Sequence, residues 1–289
     1  MHLGAHMSVS GGLSSAFERA KSIGINTMQV FTKNQNRWEQ KPAAPEEIAR
    51  WFAAQQVTGI GPVVSHAAYL INMGSPDEAL WNRSVNAMID ELTRAEQLGI
   101  LGVVVHPGAH MGAGEEAGIA RIVAALDRAH TATAGYRTLT LLEATAGQGS
   151  ALGYRFEQLR AMRGGAAEPD RVAFCFDTCH VFAAGYDIRT PETYAETMSE
   201  FDRVLGLDRL VCFHFNDSKK GLGARVDRHD AIGTGQLGLA PFGFILNDPR
   251  FAGIPMILET PKSEDMHEDV ENLALLRSLI ETGRAGNGQ

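Results

Sequence analysis

Histidine and acidic residues recur in this chain where apolar, strand-like segments end. Between Arg171 and His180, a segment typical of a buried parallel strand is followed at once by Asp177 and His180. Imidazoles and carboxylates are the ligands that divalent transition metals take in proteins. The candidate ligands are five histidines and four acidic residues, seven at strand ends and two in a loop before the last strand: His66, His106, Glu143, Asp177, His180, His214, Asp227, His229 and Glu259.

One metal ion cannot use nine protein ligands. Zinc takes three or four protein groups and keeps a position for water, so the set predicts two or three ions with a carboxylate bridging a pair. Asp227 and His229 lie two residues apart, and in an extended backbone both side chains leave the same side. The commonest use of a multinuclear carboxylate and imidazole site is hydrolysis of phosphate esters.

A single histidine at a strand end is more often a hydrogen-bonded structural residue than a ligand. That explanation would have to hold separately at every strand from the third to the eighth, which favours the metal site. The remaining histidines are interpreted as structural, although His6, at the end of the first strand, could contact the ligands: His2, His6, His110, His130 and His267.

Strand-like and helix-like stretches alternate along the chain. The predicted strands span residues 2–8, 26–32, 61–66, 102–106, 138–143, 171–177, 209–214 and 254–259. Predicted helices include one with Ser75 as its N-cap that ends at Gly99, and a last one marked by Val270, Leu273, Leu276 and Ile280; the helix of the seventh unit is only weakly indicated. The pattern predicts a (β/α)8 TIM barrel in one domain, residues 1–289, with a frayed tail at 282–289 and the active site at the C-terminal mouth of the strands.

Composition narrows the functional class. The chain has 289 residues, 44% hydrophobic and 21% charged, with no apolar run near the roughly eighteen residues of a membrane span and no signal-peptide pattern. We therefore expect a cytoplasmic protein without a membrane partner. The three cysteines are an odd number that fits a reducing compartment, and Cys175 and Cys212 are interpreted as small core residues.

The net charge does not exclude a nucleic acid partner. The formal charge of −8 argues against an anionic ligand when it is taken alone. Bound cations are often the largest local charges in a site, and three divalent ions would reduce the net charge to −2.

Specific motifs are spread over nearly the whole length of the chain. They are Gly4-Ala5-His6, Phe31-Thr32-Lys33-Asn34, Tyr69-Leu70-Ile71-Asn72, His106-Pro107-Gly108, Asp177-Thr178-Cys179-His180, His214-Phe215-Asn216-Asp217-Ser218, Asp227-Arg228-His229 and Leu258-Glu259-Thr260. In these motifs the chain resembles bacterial endonuclease IV, the zinc-dependent apurinic/apyrimidinic endonuclease of base excision repair.

The resemblance implies three zinc ions, with Mn²⁺ or Fe²⁺ as substitutes, and Glu143 and Glu259 as catalytic carboxylates. The implied ligand groups are His66, His106 and Glu143; Glu143, Asp177, His214 and Glu259; and His180, Asp227 and His229. The implied reaction cleaves the phosphodiester 5′ to an abasic site in duplex DNA and leaves a 3′-hydroxyl and a 5′-deoxyribose phosphate, with trimming of 3′ ends as a further activity. The resemblance also implies a monomer.

The same resemblance implies which residues contact DNA. Tyr69 and Leu70 would fill the vacated stack, while Asn34 and Arg37 would lie in a second wedge. This chain departs from the family pattern, because Asn36 follows Asn-Gln where arginine is expected, which leaves open whether Asn36 or Arg37 enters the duplex. Candidate phosphate contacts are Lys33, Lys219, Lys220, Arg225 and Arg228.

Two other classes fit part of the sequence. Sugar isomerases and epimerases use the same barrel with strand-end ligands, but they need one or two metals and a compact pocket. A DNA-binding protein without catalysis is the other alternative. The surplus imidazoles and the basic and aromatic loops favour the endonuclease.

Overall fold

In the computed structural model, which describes residues 1–281, eight parallel strands close into a barrel. Each barrel strand pairs with the next in the chain, and the last closes on the first through the register His2 to Pro255. The strands are β1 (His2–Met7), β2 (Thr27–Val30), β3 (Val63–His66), β4 (Gly102–Val105), β5 (Leu139–Glu143), β6 (Val172–Asp177), β7 (Leu210–Phe215) and β10 (Pro255–Leu258). The predicted TIM barrel is confirmed.

A small antiparallel ribbon lies between the seventh and eighth barrel strands. It consists of β8 (Asp217–Ser218) and β9 (His229–Asp230), with Ser218 paired to His229. The ribbon folds the long loop after β7 back on itself.

Helices surround the barrel. They are α1 (Ser15–Ser22), α2 (Pro45–Thr58), α3 (Glu78–Gln97), α4 (Glu115–Ala132), α5 (Phe156–Gly165), α6 (Thr178–Ala184), α7 (Pro191–Leu205), α8 (Ala240–Asn247) and α9 (His267–Ser278). The short α6 follows β6 directly, and α8 supplies the weakly indicated helix of the seventh unit. None of the helices in residues 1–281 has the length and apolar character needed to cross a membrane.

The barrel interior holds its own apolar cluster, separate from the larger core between strands and helices. Six of its members each lie two residues before a candidate ligand. Side chains two apart on a strand share a face, so an inward apolar residue makes the ligand that follows it point inward as well. The pairs are Val64 and His66, Val104 and His106, Leu141 and Glu143, Cys175 and Asp177, Cys212 and His214, and Ile257 and Glu259.

Two local predictions were wrong. The N-cap of α3 is Asp77, whose Oδ1 accepts from the Leu80 N–H at 2.7 Å, while the predicted cap, Ser75, instead accepts a hydrogen bond from the Asp77 N–H. Val270 is 46% exposed on α9. The buried residue at this point of the helix is Asp269 instead of Val270. Its carboxylate oxygen Oδ2 lies 2.6 Å from Lys262 Nζ, which provides a charged partner inside the protein. The predicted fraying of residues 282–289 lies outside the described residues.

Candidate metal centre

The nine candidate ligands converge at the C-terminal mouth of the barrel. Glu143, at the end of β5, is fully buried at the centre of the group. Its Oε2 lies 3.3 Å from His66 Nε2 and 3.1 Å from His106 Nε2. Ligand atoms of these three residues lie within 4.8 Å of one another, so one cation could contact all three.

The second oxygen of Glu143 faces a different set of side chains. Glu143 Oε1 lies 3.2 Å from His214 Nδ1, which is itself 3.0 Å from Glu259 Oε2 and 3.9 Å from Asp177 Oδ2. These four residues form a second group of donor atoms within 4.8 Å. A carboxylate with one oxygen in each of two donor groups has the geometry of a ligand that bridges two ions.

The third group is His180, Asp227 and His229. Asp227 lies 3.2 Å from His180 Nε2 through Oδ2 and 3.4 Å from His229 Nε2 through Oδ1. The ribbon of β8 and β9 brings this part of the loop over the mouth. The two Nε2 atoms face each other at 3.3 Å. Ligand atoms of the three residues lie within 4.8 Å of one another, so one cation could contact all of them.

Outer hydrogen bonds of the histidines favour the ligand form. His66 Nδ1 lies 2.7 Å from the carbonyl oxygen of Ala67, and His214 Nε2 lies 2.8 Å from Gln29 Oε1. Each of these oxygens can only accept, so the facing ring nitrogen carries the hydrogen. The opposite nitrogen, which points into the site, is then free to bind a metal.

The charged groups of the site favour the binding of cations. Burial alone raises the pKa of Glu143, but positive charge on His106 and His214 holds that pKa well below its usual range. Burial also raises the pKa of Asp227. The hydrogen bond to His180 and the charge of that ring outweigh burial and lower the pKa to about 2. Burial lowers the pKa of His180, whereas the charge of Asp177 and hydrogen bonds to Asp227 and Glu143 raise it well above its usual range. A field that favours an added proton also favours a divalent cation, and the donors fit zinc.

Sequence reasoning missed two polar residues that support the ligands. Gln29 lies in the buried strand β2, where its Oε1 faces His214 and its Nε2 donates to Glu259. Asn216 donates from Nδ2 to Asp177 Oδ2 at 2.6 Å. A polar amide inside a fully buried strand was the available signal for Gln29. His6, suggested as a contact of the ligands, lies 3.8 Å from Glu259 Oε1.

Two loops border the mouth, which we call the first rim loop (residues 33–41) and the second rim loop (residues 67–77). The four residues of these loops that the resemblance assigns to DNA reach the surface to different degrees. Asn34 and Arg37 are exposed, Tyr69 is 63% exposed, and Leu70 is half-buried. Their position leaves them accessible at the rim.

One candidate phosphate contact is wrong and the others differ in environment. Lys33 is buried, and its Nζ lies 2.8 Å from Asp90 Oδ2, so it is paired inside the protein because α3 packs beneath the first rim loop. Arg225 is exposed but stacks on the ring of Tyr154 at 3.9 Å. The remaining candidates are exposed: Lys219, Lys220 and Arg228.

A cavity of about 380 Å³ opens between the second rim loop and the ligands. Its walls include Tyr69 and Ile71 on one side and His180, Asp227 and Glu259 on the other. Its size is at the lower end of small-ligand pockets. The cavity therefore gives a small group direct access to the donor atoms.

Comparison with known proteins identifies the family. A protein called "Probable endonuclease 4" from Chloroflexus aurantiacus is 54% identical over 278 residues, which cover 96% of this chain and 98% of that protein. The chain belongs to the endonuclease IV family. Residues 17–279 match the family model described as a xylose isomerase-like TIM barrel. The crystal structure of endonuclease IV from Thermus thermophilus superimposes with a TM-score of 0.86 at 35% identity, covering 96% of this chain and 98% of the other.

The same fold also occurs in proteins with other names. A D-tagatose 3-epimerase-like protein superimposes with a TM-score of 0.75 at 19% identity, covering 96% of this chain and 97% of that one. At this identity the likeness extends to the barrel alone. The resemblance to endonuclease IV that the motifs indicated is confirmed, and metal and DNA binding by the individual residues stays a prediction.

Proposed function

We propose that this protein is a metal-dependent apurinic/apyrimidinic endonuclease of DNA repair, which hydrolyses the phosphodiester 5′ to an abasic site in duplex DNA. The observation that carries the proposal is Glu143, whose two oxygens face two separate donor groups while a third group lies beside them. The names of the relatives support an endonuclease, and the donors support hydrolysis of a phosphate ester.

Three zinc ions are proposed, held by the three donor groups. Glu143 would serve the first two groups, and Glu259, beside His214, would complete the second. When bound there, zinc supplies Lewis-acid activation of water and charge stabilisation at the phosphate oxygens. The chain's own contribution is to hold four carboxylates together at the barrel mouth, with Glu143 and Asp177 fully buried, and to fix the ring orientation of His66 and His214 through carbonyl and amide oxygens.

The cavity and the rim loops fit an abasic nucleotide. Rotating a nucleotide out of the duplex costs a few kcal/mol of unstacking energy, and this cost is least where the base is already missing. Tyr69 lines the cavity and Leu70 follows it in the chain, and the two residues would fill the gap left in the stack. Asn34 and Arg37 are exposed in the first rim loop, where they would form the second wedge, and the exposed Arg228 would contact the backbone.

Finer parts of the proposal follow from the resemblance. The products would be a 3′-hydroxyl and a 5′-deoxyribose phosphate, 3′ ends would also be trimmed, and the protein would act as a monomer. The epimerase alternative accounts for the fold but gives the third donor group no task, since one or two metals suffice for that chemistry.

Three measurements on one preparation test the proposal. Elemental analysis should find close to one zinc for each donor group, and the protein should nick a duplex that carries a single abasic site. A DNA polymerase should extend the nicked strand without further treatment, because a 3′-hydroxyl is left. A fully metal-loaded protein that leaves the abasic duplex intact would refute the enzymatic proposal, and a nick that blocks extension would refute the proposed position of cleavage.

A further inference from the structure

The carboxylate of Glu91, on α3, lies beneath both rim loops. Glu91 is 1% exposed. Its Oε2 accepts a hydrogen bond from the Thr32 hydroxyl at 2.9 Å, and its Oε1 accepts from the Ala68 N–H at 3.3 Å. Thr32 directly precedes the first rim loop, and Ala68 directly precedes Tyr69 in the second. One side chain therefore holds both loops close to the residues proposed to contact DNA.

Two neighbours of Glu91 on α3 extend the attachment along the first rim loop. Asp90 accepts a hydrogen bond from Lys33 Nζ at 2.8 Å, which attaches the first residue of the loop to the helix. Arg94 donates to Asp90 at 3.0 Å and to the carbonyl oxygen of Lys41 at 2.8 Å, which places its end there too. Charged side chains of one helix thus hold both ends of this loop.

We propose that Glu91 is a positioning residue, which fixes the separation of the two rim loops so that both can engage one abasic duplex. The inference rests on the proposed function. If both rim loops enter one duplex, the distance between them must stay constant to within about 1 Å. Buried, charge-assisted hydrogen bonds have narrow geometry, and they reduce the ordering that binding would otherwise require.

The role depends on two hydrogen-bonding atoms rather than on bulk. Alanine at position 91 removes the bonds to Thr32 and Ala68 together. Glutamine can keep both, because its carbonyl oxygen accepts from the Ala68 N–H while its amide donates to the Thr32 hydroxyl oxygen. Lys33 keeps a charged partner in both Glu91→Ala and Glu91→Gln, because its Nζ also lies 2.8 Å from Asp90 Oδ2.

The experiment compares zinc-loaded wild type, Glu91→Ala, Glu91→Gln and Thr32→Val. Each is assayed on a duplex with a tetrahydrofuran abasic analogue and on bis(p-nitrophenyl) phosphate, which is too small to need the rim loops. We expect Glu91→Ala to raise KM for the duplex about tenfold with little change in kcat, Thr32→Val to raise it less, and Glu91→Gln to match wild type.

The matched control is Glu96→Ala. Glu96 lies on the same helix and also holds a loop, by accepting from the Arg137 and Thr138 N–H groups at 2.9 Å at the opposite end of the barrel. We expect its KM for the duplex to equal that of wild type.

The outcomes separate the inference from the proposed function. An unchanged KM in Glu91→Ala overturns the positioning role, as does an equal loss of zinc and of activity on both substrates. If Glu91→Ala does not fold, Thr32→Val decides: a raised KM at constant kcat supports the role, and wild-type kinetics overturn it. Wild type that cleaves only the small phosphodiester overturns the proposed function and the inference together.

Discussion

At the mouth of the barrel, six ligands are aimed by the strands that they end, whereas the rim loops are held from below by side chains of α3. The inward apolar residue two positions earlier fixes the direction of the ligand. The first rim loop takes its position from Asp90 and Arg94, far away in sequence. Local alternation specifies the chemistry, and tertiary ion pairs specify the surface that presents the substrate.

This difference predicts where substitutions act. Changes at the mouth should reduce metal binding and with it every hydrolytic activity. Changes at the rim should affect recognition of the duplex and leave the metal content intact. The variants below test that separation, beginning with the largest expected effect and ending with the smallest.

The largest effect is expected for Glu143→Ala. Removing this carboxylate takes a donor from two groups at once and leaves His66 and His106 without their nearest negative charge. Activity should fall by more than the roughly 10- to 100-fold that follows loss of an outer hydrogen-bond partner. Elemental analysis should find fewer metal equivalents than in wild type. A fully loaded, active Glu143→Ala protein would show that Glu143 does not bridge.

Tyr69→Ala tests the rim. Base–aromatic stacking contributes about 1–3 kcal/mol, so KM for an abasic duplex should rise roughly tenfold while the zinc content stays unchanged. Phe52→Ala is the matched control, because Phe52 is an aromatic residue of α2 that is 43% exposed and lies outside the cavity walls. Loss of zinc in Tyr69→Ala would contradict the prediction that substitutions at the rim leave the metal content unchanged.

The same contrast explains what the sequence could predict. Strand ends and the alternation behind them are local, so the barrel and the convergence of six of the nine candidate ligands could be predicted from them. The other three, His180 on α6 and Asp227 and His229 in the loop after β7, were predicted from their residue types and from the resemblance. The burial of Lys33 could not, because it depends on Asp90 and Glu91 in a helix that follows a different strand. Gln29 was missed for a related reason, since its partners, His214 and Glu259, come from strands near the other end of the chain.

Gln29→Ala should give an intermediate effect at the mouth. The substitution removes the acceptor that orients His214 and a donor to Glu259, and loss of such outer partners typically weakens metal affinity about 10- to 100-fold. Competition with a chromophoric chelator measures this affinity directly. Gln55→Ala on α2, outside the mouth, is the control. Equal affinities of Gln29→Ala and wild type would mean that strand geometry alone orients His214.

The smallest effect is expected for His130→Gln, which tests a histidine interpreted as structural. His130 is buried against Thr140, and burial, with the nearby charge of Arg171, lowers its pKa to about 4. Its folded pKa lies below the unfolded value, so the neutral ring gives full stability above about pH 6.5, and stability is lost as the pH falls toward 4.

Wild type should therefore lose on the order of 2 kcal/mol more than His130→Gln between pH 7 and pH 4.5. Urea unfolding of both proteins in chelator, at each pH, measures the difference and removes zinc loss from the comparison. Parallel stability curves would mean that His130 takes up its proton in the folded state. The contrast with His180 would then be smaller, because carboxylates raise the pKa of His180 while burial would no longer lower the pKa of His130.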